Sequence, residues 1–133
     1  MKSFMNTHNS WTITGHGKVH ESPNLAAKQV GSDTKWYTPD ELAARVAAND
    51  KCTKAYKTHA ITSITLMACD TAIKDSQTGL TFAEEFRKAL KSRNILLDVW
   101  APDNYMTWVP NPFGMNPFFI KNNGKFIQFS DAK

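Results

Sequence analysis

The stretch Ile61-Thr62-Ser63-Ile64-Thr65-Leu66-Met67-Ala68-Cys69 decides how the chain is read. β-Branched and aliphatic residues fill it over about one strand's length, and the pattern stops at Asp70 and Thr71. In an open α/β sheet, the loops leaving the carboxyl tips of the strands form the crevice where ligands bind. A cysteine at such a tip is placed for chemistry. Upstream, Trp11-Thr12-Ile13-Thr14-Gly15-His16-Gly17 has the same form and ends in a histidine between two glycines. Glycine admits backbone angles closed to other residues and lets a partner approach the main chain. Two strands of one sheet are therefore expected to deliver His16 and Cys69 to one edge.

Residues 1–9 read as a loose arm, and the first strand as 10–15. Residues 18–37, with Pro23 and Gly31, read as a long irregular connection, which beside a site is more often a functional rim. Thr38-Pro39-Asp40-Glu41 opens a helix with a capping box and a proline at its first position. Leu42 and Val46 mark its buried stripe out to Asn49, and 51–59 leads into the central strand. A second capping box, Thr81-Phe82-Ala83-Glu84, opens a helix whose Phe82, Phe86 and Leu90 recur at four-residue spacing. Arg87, Lys88, Lys91 and Arg93 lie toward its carboxyl end, where the helix dipole favours them. A third strand over 95–101 stops at Pro102. The order strand, helix, strand, helix, strand implies a parallel sheet with right-handed crossovers. Residues 105–117, containing Trp108, read as an extended rim. The segments 118–121 and 125–129 flank Asn122-Asn123-Gly124, the pattern of a β-hairpin. The expected fold is α/β, a compact sandwich with a short parallel sheet, flanking helices and a C-terminal antiparallel hairpin.

At 133 residues the chain is expected to form one domain with its own core. Hydrophobic residues at 41% and charged ones at 21% argue against disorder as the main state. The net charge of +4 is spread along the chain and gives no nucleic-acid footprint. Cys52 and Cys69 are too few for a disulfide framework, and neither size nor composition calls for a bridge between them. No apolar run approaches a membrane span, and residues 1–6 lack the apolar core of a secretory signal. Synthesis in a reducing cytoplasm without a cleaved signal peptide is expected, and export would need another route.

A thiol attacks as its thiolate, and a nearby histidine can accept its proton and later protonate the leaving group. His16 is the candidate general base and Cys69 the candidate nucleophile. The Gly17 and Cys69 amides are the candidate oxyanion hole, glycine leaving room for a substrate carbonyl. Asp70, Asp103 and Trp108 are expected near the same edge as shapers of a substrate pocket. Plainer readings compete. Most cysteines without a disulfide are small buried hydrophobes, a Gly-His-Gly often just turns a loop, and Asp70, Asp103 and Trp108 serve equally as turn or rim. His20 and His59 lack the glycine flanks and the strand-end position. The dispersed histidines give none of the close ligand spacings of zinc sites, so no metal is expected.

Gly15-His16-Gly17-Lys18, the block Ile64 through Cys69, the helix over 82–90, the strand over 95–101 and the late hairpin together resemble a known group. It is the autoprocessing cysteine peptidase domains of large bacterial toxins, members of the caspase-like clan CD. Clan signatures are a hydrophobic strand ending in His-Gly and another ending in a small residue plus Cys, with the histidine about 50 residues ahead in caspases. The likeness runs from Trp11 to the end of the chain. It implies a three-layer caspase-like sandwich and a thiol endopeptidase that cleaves a protein substrate or itself. It also implies a bacterial effector or toxin-type virulence domain that is exported to act on a host-cell target protein. The toxin domains are switched on by inositol hexakisphosphate at a basic surface that includes their hairpin flap. Here only Lys121 and Lys125 lie in the flap, so no cofactor is expected and phosphate activation is doubtful. Those domains also carry strands ahead of the His-Gly strand, some with an acid that orients the histidine, whereas nine residues precede the strand here. Val99-Trp100-Ala101-Pro102-Asp103, with Tyr105 and Trp108, also resembles small caspase-like modules of secreted bacterial proteins described as adhesins, which bind rather than cleave. A thiol-dependent hydrolase or acyl transferase would use the same dyad.

Overall fold

In a computed structural model the described residues are 2–5, 9–19, 26–32, 34–76, 78–103, 106–110, 118–122 and 126–130; of 2–5, 19, 106–110 and 118–122 only the backbone is described. In chain order the elements are β1 (Lys2–Met5), β2 (Ser10–Thr14), β3 (His16–Val19), β4 (Ala27–Ser32), β5 (Lys35–Tyr37), α1 (Pro39–Ala47), α2 (Asp50–Lys57), β6 (Ser63–Met67), α3 (Phe82–Lys91), β7 (Asp98–Pro102), β8 (Met106–Pro110), β9 (Phe118–Asn122) and β10 (Phe126–Phe129).

The apolar stretch ending at Cys69 forms β6, the middle strand of a five-stranded sheet of order β1-β2-β6-β7-β10. The three central strands run parallel, and β1 and β10 close the edges antiparallel. Alternation then sorts the side chains. Trp11, Ile13, Ile64, Leu66, Val99 and Ala101 form one buried face and join Leu42, Val46, Phe86 and Leu90 in a single core. Full burial of each large side chain such as Leu66 or Phe86 stabilises the fold by about 1.5–3 kcal/mol. The steps β2 to β6 to β7 go the same way across the sheet, so right-handed crossovers put their helices on one face. In accord with that, α1 packs on α3. The opposite face carries buried hydroxyls, and Ser10 Oγ lies 3.2 Å from the Ser63 carbonyl it donates to and 2.8 Å from Thr65 Oγ1. Burial of such groups requires these partners.

Both expected capping boxes are present, Thr38 with Glu41 and Thr81 with Glu84. The mixed α/β class and the parallel central strands agree with the sequence reading, and the C-terminal part does contain an antiparallel strand pair, though between other partners than expected.

Five local expectations differ. The segment expected as a loose arm carries β1, whose four residues need only the backbone edge of β2 to become a strand. The connection expected over 18–37 holds β3, β4 and β5, a three-stranded antiparallel sheet. Its strands, of three to six residues, are too short for a periodic signal. Asn49 does not end a helix but caps a second one, α2, accepting the Cys52 N–H at 3.0 Å. Only Cys52 of α2 is buried, so no apolar stripe announces it.

The fourth concerns the hairpin partners. β9 pairs with β8, Ile120 opposite Trp108, where a rim loop was expected. β10 joins the central sheet beside β7, Phe129 opposite Val99. Ile127 and Phe129 thereby pack on the core, a burial that an isolated two-stranded flap does not offer. Asn123 and Gly124 lie outside the described residues. The third strand begins at Asp98 rather than residue 95, although Ile95 and Leu97 are buried.

Candidate functional site at the strand tips

Every pairing of β2 with β6, from Ser10 opposite Ser63 to Thr14 opposite Met67, carries an offset of 53 residues. The same 53 residues separate His16 from Cys69. The ladder continues past the last paired residues, the Gly15 N–H donating to the Met67 carbonyl at 3.2 Å. The two backbones then come together. A β-carbon built on Gly17 would overlap the carbonyl oxygen of Cys69, sit 2.8 Å from its carbon and lie 3.2 Å from Ala27 Cβ. Glycine is needed at 17 because the main chain of Cys69 occupies the place of a side chain.

The turn after Cys69 is fixed from three sides. The Asp70 carbonyl accepts the Ala27 N–H of β4 at 3.3 Å. The Ala72 N–H donates to the Pro102 carbonyl at the tip of β7, 2.9 Å, and the Thr71 carbonyl accepts the Ala83 N–H of α3, 3.0 Å. Thr71 is fully buried, and its hydroxyl donates to the Ala68 carbonyl at 3.1 Å. Asp70 has φ of 62°, the left-handed region that aspartate tolerates better than most side chains. Partial burial raises its carboxyl above the ordinary carboxylate range. Farther along the turn, Asp75 Oδ2 pairs with Lys28 Nζ of β4 at 3.2 Å.

Of the residues singled out from sequence, His16, Gly17, Cys69, Asp70 and Asp103 lie at the carboxyl tips of the three parallel strands, Asp103 immediately after β7. Trp108 is in β8, in a separate two-stranded sheet, and its side chain is outside the described ones. His16 is exposed and Cys69 half-buried. Within β3, alternation puts the His16 side chain on the face it shares with Lys18, whose Nζ lies 5.1 Å from the centre of the Trp36 ring. Gly17 faces the other way, toward Cys69.

The second cysteine is chemically different. Cys52 is buried in the core, and desolvation pushes its thiol up to about 11. Both cysteines are thiols with no disulfide between them. Sequence reading missed Thr71, Lys28 and Asp75. A threonine in a turn and a lysine in a polar run carry no signal until tertiary contacts exist.

Among the described residues, a pocket of about 260 Å³ lies between β2 and α1, lined by Trp11, Ile13, Leu42 and Val46 together with Arg45, Ala48 and Asn49. It sits on the helix-covered face, and the paired strand tips carry the nucleophilic and titratable groups instead. Among the described residues no His, Cys, Asp and Glu cluster could hold a metal ion, and no helix is long and apolar enough to cross a membrane.

A comparison with curated proteins finds no match. Residues 1–128 match the family described as Domain of unknown function (DUF8616), and with nearly its whole length covered the chain belongs to that family.

Proposed function

We propose that the chain is a cysteine endopeptidase of the caspase-like clan in which His16 is the general base and Cys69 the nucleophile. The observation that carries this reading is the shared offset: the 53-residue register of β2 on β6 is also the spacing of His16 and Cys69. In the reaction His16 takes the thiol proton and the sulfur adds to the scissile carbonyl carbon. The Gly17 and Cys69 amides donate to the oxyanion. As the C–N bond breaks, the imidazolium passes its proton to the leaving amine, and water then hydrolyses the thioester. Asp70, Asp103 and Trp108 border the substrate. The substrate is a protein, in trans or the chain's own flanking sequence, and the setting is a bacterial effector or toxin-type domain. No cofactor takes part.

The alternative, a caspase-like module that binds rather than cleaves, is favoured by one observation: His16 shares its face with Lys18 and Trp36 rather than with Gly17. A hydrolase or acyl transferase would use the same two side chains on another substrate.

Alkylation of Cys69 by iodoacetamide across pH, in the wild type and in His16→Ala, separates these readings, with buried Cys52 as internal reference. Fast labelling near pH ~6 that is lost in His16→Ala supports a dyad, because a thiol activated by histidine is ionised well below the usual ~8.5. Labelling as slow as that of an ordinary exposed thiol, indifferent to His16, overturns the peptidase in favour of the binding module. Peptide and ester panels then divide peptidase from acyl transferase.

A further inference from the structure

The small sheet that begins at His16 and the turn that begins at Cys69 come from different parts of the fold, and one strand joins them. Along β4, Gly31 pairs with His16 and Val30 with Gly17. At its other end, the Ala27 N–H binds the Asp70 carbonyl. The adjoining residue, Lys28, sends its ammonium to Asp75 at 3.2 Å. The Asp75 side chain is 12% exposed and that of Lys28 29%, so the pair is shielded more than an ordinary surface ion pair. Asp75 is itself held in the turn, its N–H donating to the Leu80 carbonyl and its carbonyl accepting the Gly79 N–H. The carboxylate is therefore a fixed anchor.

Backbone contact alone holds this junction weakly. The Ala27 to Asp70 hydrogen bond is long at 3.3 Å, and the Gly17 contact is van der Waals with no directional component. The register of β3 on β4 shifts after Lys18, so that Val19 pairs with Ala27, and Ala27 Cβ lies 3.2 Å from where a β-carbon on Gly17 would sit. The ion pair of Lys28 thus acts next to the residue that meets both Gly17 and the Asp70 carbonyl.

We propose that Lys28 and Asp75 are positioning residues that clamp the His16 strand onto the Cys69 turn. This rests on the peptidase reading for its catalytic meaning, but the clamp itself is a statement about two segments of chain. With the clamp intact, Gly17 is pressed on the Cys69 carbonyl and the histidine strand is held in register with the nucleophile. Without it, the Lys28 end of β4 can move away from the turn at Asp70 and draw Gly17 off the Cys69 carbonyl, while Val30 stays anchored in the core.

The test uses the full chain with Lys28→Met, Asp75→Asn and the reversed pair Lys28→Asp with Asp75→Lys. Two readouts are taken: the nuclear Overhauser contact between the Gly17 α-hydrogens and the Asp70 amide, and the pH profile of Cys69 alkylation. Each single variant is expected to weaken the Gly17 contact and to slow labelling near pH ~6 by about tenfold or more, since a displacement of about 1 Å can cost about 10²-fold. The reversed pair is expected to restore both, which a loss of general stability would not allow. Lys28→Arg, which keeps the charge, guards against misfolding of the reversed pair and is expected to behave as wild type. An unchanged Gly17 contact in the single variants overturns the clamp. So does labelling that depends on His16 but ignores Lys28 and Asp75. If wild-type labelling ignores His16, the peptidase reading fails, and the Gly17 contact still decides the clamp.

Discussion

The α-carbon of Gly17 lies against the carbonyl of Cys69, three residues past the end of β2 and two past the end of the adjacent parallel strand β6. Gly17→Ala must push the β3 backbone away from the strand tip or distort the turn. The expected cost is about 1–3 kcal/mol, as for other overpacking. A fall in the urea midpoint with unchanged slope measures it. The same variant should slow Cys69 alkylation, because the histidine strand is displaced.

Cys52 supplies a pH test of the core. Its unfolded thiol ionises near ~8.5, whereas burial holds the folded one un-ionised up to about 11. A raised acid favours the folded state below the unfolded value, and that contribution is lost as pH rises toward the folded one. The urea midpoint should hold steady to about pH 8 and fall between about pH 9 and about pH 11, with the fall reduced in Cys52→Ala. In the native protein at neutral pH, Cys52 should resist iodoacetamide.

Asp70 should be a mild liability at neutral pH. Partial burial raises its carboxyl, so its favourable contribution is present in acid and lost as pH rises through the raised value. Asp70→Asn keeps a residue tolerant of positive φ and removes the buried charge. A rise in Tm of no more than about 2 °C at neutral pH is expected, since solvent screens much of the effect. The gain should vanish below about pH 4. No change in Tm at any pH would count against the desolvation.

The N-terminus of α3 supports the turn through the Ala83 to Thr71 hydrogen bond, so its cap matters beyond the helix. Thr81 Oγ1 accepts the Glu84 N–H at 2.9 Å and is itself almost fully buried. Thr81→Ala should cost about 1–2 kcal/mol and Thr81→Ser much less. Phe86→Ala, emptying the fully buried centre of the same helix, should cost about 3–5 kcal/mol. Thermal melts of the three variants rank them.

The sequence by itself determined the features written within a single segment. The capping boxes at Thr38 and Thr81, the buried stripe Phe82, Phe86 and Leu90, and the apolar strand ending at Cys69 are local patterns that persist whatever surrounds them. Their order was enough for the α/β class and for setting His16 and Cys69 at strand ends. Tertiary structure alone decided what depends on pairing between distant segments. β1 and β3 are strands because a neighbour's backbone edge is available. β10 leaves the expected flap because the core beside β7 offers burial for Ile127 and Phe129. The register of β2 on β6, the glycine forced at 17 and the Lys28 to Asp75 pair are likewise contacts between segments. No single segment encodes them, since backbone edges and charges have no partner until the chain has closed on itself.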